Sequence, residues 1–365
     1  MPLSFDSESP DGPSTAGADL VRYRASHDAM GTTFEVGAYG ANREYLAAVV
    51  NEVFDEIDRL EQQMSNYRPE SELSYINRAA ARHSVVVEPA LFRLIRDAIR
   101  YSSETSGAVD ITIGPLMKSW GFFRQPGRVP DDAEIAQTLK TVGYAHVKLD
   151  ATARTLWFDR AGVQLDLGGI GKGFAVDRAA EVLRSSGVAR ALISSGTSSI
   201  YALGAPPEAR AWTVTLRDPL DVNKGADVIH LKNCSISTSG NYENFFKEEG
   251  RVYSHILDPA TGRPVEGMLS TAVLALDATE SEALSTAFYV MGPERASHYV
   301  AAHANLTVIC YQATETPNQF KRVVARSSFN DLPIDVVAEM GSPQPSDQDV
   351  RDTIRGMEAE LDGRN

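Results

Sequence analysis

Apolar residues along positions 43–63 recur at the three- and four-residue spacing of a helix. This spacing predicts an amphipathic helix with acidic residues on its outer face. The apolar positions of this helix are Leu46, Val49, Val50, Val53, Phe54, Ile57 and Leu60. Similar patterns predict helices at 89–103, 131–143, 279–291 and 294–304, and another between two glycines at 173 and 187.

Short apolar runs and two-residue alternation predict strands in much of the remaining chain. Two short strands flank a turn at 30–32, two more lie at 145–149 and 155–159, and a buried strand follows at 271–276. The last two strands are predicted at 306–311 and 319–326. Because strands outnumber helices and mostly follow one another, the predicted fold class is α+β or mixed α/β.

A glycine-rich segment, QLDLGGIGKGFAVD at Gln164–Asp177, connects a predicted strand to the N-terminus of a predicted helix. Four glycines fall between Gly168 and Gly173, and Lys172 lies among them. Free backbone N–H groups and the helix dipole at such a turn favour anions, above all phosphate.

The segment matches neither of two common phosphate-binding motifs. Asp166 stands where the first glycine of a P-loop belongs, and the dinucleotide fingerprint G-x-G-x-x-G does not fit the glycine spacing. An ordinary tight turn between strand and helix therefore stays open as the alternative to a phosphate loop.

Composition narrows the class of protein. The 365 residues, 43% hydrophobic and 23% charged, are ordinary for a globular protein with a large core. The formal net charge of −14 argues against non-specific binding to nucleic acid but leaves room for a phosphate ligand at a locally positive site. Two cysteines, Cys234 and Cys310, are too few for a disulfide framework or a cysteine zinc site.

The two ends of the chain are polar. Residues 1–20 are acidic and rich in Ser, Pro and Gly, which predicts a flexible tail rather than a signal peptide. No apolar run approaches the length of a membrane span, so a cytoplasmic location is expected if residue 1 is the native start. One folded domain is predicted at 21–330, followed by a polar tail at 331–365 with one possible helix at 346–361.

Two further groups of residues suggest chemistry. His255 precedes Asp258 by three residues in a turn-forming segment, and a histidine beside a carboxylate can move protons; a structural role is equally open. Glu282 and Thr286 share a helical face, where a carboxylate, a hydroxyl and a loop carbonyl suit a hard cation such as Mg²⁺. The alternative is an acidic residue placed in the first turns of an exposed helix by the helix dipole.

Several segments in fixed order resemble the ApbE-type FAD:protein FMN transferase (flavin transferase) family. The matching stretches are MGT at 30–32, MSNYRPESEL at 64–73, GAVDITIGPL at 107–116, WGF at 120–122, DLGGIGKGFAVD at 166–177, TSG at 238–240, YSHILDPATG at 253–262 and EALSTA at 282–287. The resemblance covers roughly residues 25–312 and implies a two-lobed fold with largely antiparallel sheets flanked by helices.

The resemblance also implies a reaction. This family uses Mg²⁺ to cleave the pyrophosphate of FAD, joins FMN to a Thr or Ser hydroxyl of a target protein and releases AMP. The implied partner is an acceptor protein, expected to be a redox or electron-transport flavoprotein. An FAD pyrophosphatase that passes FMN to water and a flavin-binding protein without turnover are the alternatives.

The resemblance assigns roles to individual residues. FAD contacts are implied for Met30, Tyr67, Ala108, Val109, Asp110, Asp166, Lys172 and Leu257. Metal ligands are implied for the Gly169 carbonyl, Glu282, Ser285 and Thr286. His255 would assist the incoming hydroxyl, with Asp258 beside it.

Two positions depart from the family pattern. The family usually has aspartate where this chain has Glu282, and one extra methylene matters because Mg²⁺ requires strict geometry. The family also usually has a G-G-N or G-G-D turn after the central helix, where this chain has Ser195-Gly196-Thr197-Ser198-Ser199. Hydroxyl groups of that turn can replace backbone N–H groups as phosphate donors.

Overall fold

A computed structural model describes residues 20–123, 126–221, 223–241, 244–328, 332 and 335–337. The predicted N-terminal tail, apart from residue 20, and the possible helix at 346–361 lie outside these residues. None of the described helices is long and apolar enough to cross a membrane.

The described residues form seven α-helices. They are α1 (Arg43–Met64), α2 (Glu72–Ala79), α3 (Pro89–Glu104), α4 (Gly114–Ser119), α5 (Asp132–Leu139), α6 (Gly171–Ser185) and α7 (Ala278–Ala302). Side chains cap several N-termini: Asn42 accepts a hydrogen bond from the Tyr45 N–H of α1, and Asp277 accepts one from the Glu280 N–H of α7.

The two helices predicted at 279–291 and 294–304 are the two halves of α7. Gly292 adopts non-helical backbone angles (φ 74°, ψ 171°) and Pro293 follows it, so the helix is kinked where the sequence predicted a break. The helix predicted at 131–143 is shorter than expected, because it ends at Leu139.

Eighteen strands are described. The first nine are β1 (Val21–Ala29), β2 (Thr32–Gly40), β3 (Val85–Val86), β4 (Val147–Asp150), β5 (Thr155–Phe158), β6 (Arg190–Ser195), β7 (Ser199–Leu203), β8 (Trp212–Arg217) and β9 (Gly225–Leu231). The others are β10 (Cys234–Gly240), β11 (Phe245–Glu248), β12 (Arg251–Ser254), β13 (Leu257–Asp258), β14 (Arg263–Pro264), β15 (Met268–Ala275), β16 (Thr307–Ala313), β17 (Phe320–Arg326) and β18 (Asp335–Val337).

An eight-stranded sheet in the order β1-β2-β6-β7-β10-β15-β16-β17 organises the molecule. All its neighbouring strands are antiparallel, which confirms the expected mixed fold with largely antiparallel sheets. A smaller sheet, β18-β9-β8, includes residues 335–337, which lie beyond the predicted end of the folded domain at residue 330.

The two faces of the large sheet bury different partners. Ile193 of β6 belongs to the core formed with α1, α6 and α7, whereas its neighbour Leu192 packs with Trp212 and Ile229 of the small sheet. This alternation follows from the two-residue period of a strand. Packing on this sheet brings the N-terminus of α6 and the first turns of α7 together beside β7 and β10. The candidate site lies there.

Candidate functional site

The segment before the glycine turn is not the strand that the sequence predicted. Residues 163–167 have no regular secondary structure. Two asparagine side chains hold this backbone instead: Asn77 donates to the Leu165 carbonyl and accepts from the Leu165 N–H, and Asn66 donates to the same carbonyl. Because the side chains satisfy these peptide groups, the segment needs no partner strand.

The glycine turn itself leads into α6 as predicted. The Asp166 carboxylate accepts a hydrogen bond from the Gly168 N–H (2.8 Å), and α6 begins at Gly171 with no side-chain cap at Ile170. One N–H group of the first turn, that of Gly173, donates to the Glu282 carboxylate of α7. The helix N-terminus therefore binds a carboxylate from a second helix.

A cavity of about 990 Å³ opens in front of this turn. All eight residues to which the resemblance assigns FAD contacts line it: Met30, Tyr67, Ala108, Val109, Asp110, Asp166, Lys172 and Leu257. His255, Gly169, Glu282 and Thr286 line it as well. Residues far apart in sequence thus meet at one concave site of the size used for small-molecule ligands.

Two predicted site residues are not brought to the cavity wall. The Ser285 side chain is buried and its hydroxyl contacts Ser239 (2.8 Å) and donates to the Glu282 carbonyl (2.9 Å). The Asp258 carboxylate accepts a hydrogen bond from the Ala260 N–H, which stabilises the turn after His255. In this structure both side chains form hydrogen bonds within the protein. Their predicted roles in metal binding and catalysis stay predictions.

Four residues with side-chain oxygens, Ser198, Ser239, Glu282 and Thr286, line the cavity and form the oxygen cluster at Glu282. The Glu282 side chain is 4% exposed; its Oε1 lies 3.1 Å from Lys172 Nζ and accepts from the Ser198 hydroxyl (3.5 Å). The Thr286 hydroxyl contacts the Ser239 hydroxyl (3.3 Å). Gly169 lies close to Thr286, because a Cβ built on Gly169 would be 3.5 Å from the Thr286 hydroxyl oxygen.

These donors fit a hard divalent cation. No group of three or more His, Cys, Asp or Glu side chains that could hold a metal occurs among the described residues. Mg²⁺ does not need such a group, because it is commonly held by one or two carboxylates together with substrate phosphates and water. Glu282, Thr286 and the Gly169 carbonyl would supply oxygen ligands of that kind if such a cation bound here.

His255 lies on the wall with its ring fixed. Its Nδ1 is 2.9 Å from the Asn244 carbonyl, which only accepts hydrogen bonds, so Nδ1 carries the proton and Nε2 keeps a lone pair. The pKa of His255 is lowered to about 4, mainly by burial; the Asn244 hydrogen bond opposes this shift and the Lys172 ammonium adds to it. The imidazole is therefore neutral at pH 7 and able to accept a proton.

Asp110 shapes the wall from a buried position. Its Oδ1 accepts hydrogen bonds from the Thr112 N–H and hydroxyl, and its Oδ2 accepts one from the Tyr144 N–H (2.6 Å). Burial raises the pKa of this carboxyl above its ordinary value, while these hydrogen bonds oppose the shift. Both oxygens are engaged within the protein, so Asp110 holds the segment 108–112 in place at the cavity.

Some wall residues were not predicted as functional. Glu61 is one of them: its carboxylate accepts a hydrogen bond from the N–H of Met30, at the turn between β1 and β2 where Met30 and Gly31 both have positive φ angles. Asn244 was missed because it acts through its backbone carbonyl, and backbone carbonyls leave no signature in a sequence. Ser198 lies in the predicted hydroxyl-rich turn, but its contact with Glu282 depends on the packing of β7 against α7.

The sequence model described as the ApbE family matches residues 30–310, more than half of the chain. This chain belongs to the ApbE family. An FAD:protein FMN transferase of Escherichia coli (strain K12) is 30% identical over 298 residues, covering 80% of this chain and 84% of that protein. One from Vibrio cholerae is 32% identical over 308 residues, covering 82% and 89%.

Solved ApbE structures share the fold. The ApbE protein from Thermotoga maritima superposes with a TM-score of 0.75 at 28% identity, covering 84% of this chain and 97% of that one. The flavin transferase ApbE from Vibrio cholerae has a TM-score of 0.75 at 29% identity, with the same coverage. The ApbE family and its fold are therefore confirmed on sequence and structure.

Proposed function

We propose that this ApbE chain transfers FMN from FAD to a threonine or serine hydroxyl of an acceptor protein and releases AMP, with Mg²⁺ as cofactor. One observation carries the proposal: Lys172, the oxygen cluster at Glu282 and the unprotonated Nε2 of His255 line the same cavity. A pyrophosphate needs cationic partners, and an incoming hydroxyl needs a base. Curated relatives are named FAD:protein FMN transferases, which supports the same substrate.

Each group has a distinct task. Lys172 binds and orients the pyrophosphate through a charge-assisted contact. Mg²⁺ held by Glu282, Thr286 and the Gly169 carbonyl would neutralise charge on the pyrophosphate oxygens. The aromatic ring of Tyr67, stacked on Phe123 with centroids 4.7 Å apart, offers a flat surface at the cavity mouth for a flavin or adenine ring.

In the transfer step, His255 acts as the general base for the acceptor hydroxyl. The acceptor hydroxyl oxygen forms a bond to the FMN phosphorus while its proton passes to His255 Nε2. The bond from that phosphorus to the bridging oxygen breaks, and its electron pair leaves on AMP. The neutral ring, held by the Asn244 carbonyl, is already in the protonation state that this step requires.

Mass spectrometry tests the proposal directly. The protein is incubated with FAD, MgCl₂ and a flavin-free acceptor domain whose native form carries threonine-linked FMN. We expect the acceptor to gain one FMN and AMP to appear in equal amount. AMP and free FMN without labelled acceptor would identify an FAD pyrophosphatase instead, and FAD binding without AMP would identify a flavin-binding protein.

A further inference from the structure

The two carboxylate oxygens of Glu282 have different partners. Oε2 accepts the Gly173 N–H at 2.5 Å and is thereby tied to the backbone of α6. Oε1 contacts Lys172 Nζ at 3.1 Å and the Ser198 hydroxyl at 3.5 Å, and both of these side chains line the cavity. Oε1 is therefore the oxygen that a cation entering from the cavity would meet.

Lys172 places its ammonium group on that oxygen. Besides the contact with Glu282, Nζ donates to the Gly168 carbonyl at 3.3 Å. A carboxylate oxygen and a glycine-turn carbonyl are the same kinds of ligand that a hard divalent cation takes. The ammonium and a divalent cation cannot both sit close to Oε1 without strong repulsion, because two cations a few ångströms apart in a partly buried site are poorly screened.

We infer that Lys172 and the divalent cation bind alternately at Glu282 Oε1, and that the substrate pyrophosphate decides between them. This inference rests on the proposed function. The pyrophosphate offers the ammonium a new anionic partner, so Lys172 leaves Oε1 as the substrate binds and the oxygen becomes available to the metal. Metal affinity is then low without the dinucleotide and rises with it, which makes substrate and metal binding mutually dependent.

Mn²⁺ binding to the protein without FAD tests the first half of this inference. Free Mn²⁺ is measured by electron paramagnetic resonance for the wild type, Lys172→Met, Lys172→Arg and Lys118→Met. Lys172→Met should bind Mn²⁺ about tenfold more tightly than the wild type, within the range of couplings common between linked sites. Lys172→Arg keeps a cation at this position and should stay close to the wild type.

Lys118→Met is the matched control for a general charge effect. The Lys118 Nζ donates to Gln164 rather than to Glu282. Removing it takes away one positive charge from the same region without freeing Oε1. If Lys118→Met tightened Mn²⁺ binding as much as Lys172→Met, or if Lys172→Met did not tighten it, alternate occupation of Oε1 would be refuted.

A double variant tests whether Glu282 is the protein ligand that binds Mn²⁺. Glu282→Gln retains an oxygen that accepts from the Gly173 N–H but removes the charge, so the fold should persist, as checked by thermal melting. The double variant Lys172→Met with Glu282→Gln should lose the tightened Mn²⁺ binding. Persistence of tight binding in this double variant would show that the metal does not bind Glu282.

The coupling between FAD binding and Mg²⁺ binding tests the second half of the inference, that the substrate pyrophosphate displaces Lys172 from Oε1. Calorimetric titration of the wild type with FAD should show tighter binding when Mg²⁺ is present, and Lys172→Met should reduce this difference because its metal site is already open without FAD. Failure of the inference and failure of the proposed function are separable. An acceptor that receives FMN while Lys172→Met leaves Mn²⁺ binding unchanged removes only the alternation, whereas tightened Mn²⁺ binding without any FMN transfer removes only the transferase reaction.

Discussion

Glu282 Oε2 and the Gly173 N–H form a 2.5 Å hydrogen bond that joins the N-termini of two helices. The relationship is reciprocal, because Asp177 of α6 accepts hydrogen bonds from the Ala278 and Thr279 N–H groups at the start of α7. Each helix thus supplies a carboxylate to the N-terminal N–H groups of the other, where the helix dipoles favour negative charge. This exchange fixes the position of Glu282 at the cavity.

Gly173→Ala should destabilise the protein. A Cβ at Gly173 would lie 2.2 Å from the Ala278 carbonyl oxygen, a backbone atom that cannot move aside without separating α6 from α7. We expect a loss of about 1–3 kcal/mol in the free energy of unfolding, measured by denaturant titration. Gly37→Ala is the control, since a Cβ there meets nothing within 4 Å. Equal stability of the two variants would contradict the close approach of the helices.

Glu282→Asp should keep or raise Mg²⁺-dependent AMP release. The shorter side chain is the one that the family resemblance gives at this position, and it keeps the negative charge. Glu282→Ala should abolish AMP release, and it also leaves the buried Gly173 N–H without its partner. Release of AMP is followed by chromatography at saturating FAD. Normal turnover by Glu282→Ala would rule out Glu282 as a metal ligand.

Much of this site follows from residue patterns, and the remainder depends on backbone contacts. The helical spacing of Glu282 and Thr286 predicted a shared face, and both line the cavity. Ser285, which the family resemblance rather than the spacing added to this set, contacts Ser239 of β10 through its hydroxyl. Helical spacing shows which side chains share a face but not which neighbouring element that face meets, so the contact of the Ser285 hydroxyl with the sheet could not be predicted.

The segment before the glycine turn shows a second limit of sequence patterns. Its alternating residues have strand periodicity, yet Asn66 and Asn77 bind its peptide groups from a different part of the chain. Such side-chain to backbone pairing is not encoded in local periodicity. The long helices α1 and α3 were predictable because each carries several turns of regular apolar spacing that the core then buries.

Asp177→Asn should destabilise the junction of α6 and α7. Both carboxylate oxygens accept: Oδ1 from the Ala278 N–H, and Oδ2 from the Thr279 N–H and hydroxyl. The amide NH₂ of asparagine would face a donor at one of these positions. We expect a loss of about 1–3 kcal/mol, the usual cost of an unsatisfied buried donor.

The pH dependence of that loss gives an independent check. Burial, and then the neighbouring Asp277, raise the pKa of Asp177 to about 7, against the hydrogen bonds that favour the ionised form. Because this pKa exceeds the unfolded value, the folded state binds the extra proton, and the wild type loses stability as pH rises toward 7. The destabilisation caused by Asp177→Asn should therefore be larger at pH 5 than at pH 8. A constant difference would contradict the raised pKa.

His255→Asn and His255→Ala should separate catalysis from packing. Asparagine retains an N–H group that can reach the Asn244 carbonyl, whereas alanine loses it. Neither variant has the base, so both should lower single-turnover FMN transfer by about 10²–10⁴-fold. Lys172 and the oxygen cluster bind the pyrophosphate without the imidazole, so FAD affinity should change by less than about 1 kcal/mol. A variant that melts early but transfers FMN normally when folded would assign His255 a packing role.

The pH profile of transfer tests the protonation state of His255. Its pKa is lowered to about 4 by burial, so the folded protein keeps the ring neutral well below the ordinary histidine value of 6.5. Single-turnover transfer should therefore stay constant as pH falls from 7.5 to about 5, one unit above this pKa, if His255 is the base. The free energy of unfolding should respond differently. Between pH 6.5 and about pH 4 the unfolded chain binds the proton more readily than the folded protein does, so the wild type loses stability as pH falls. His255→Asn lacks the titrating ring and should lose less. A rate that falls with a midpoint near 6.5 would show that the ring is not held neutral in the folded protein.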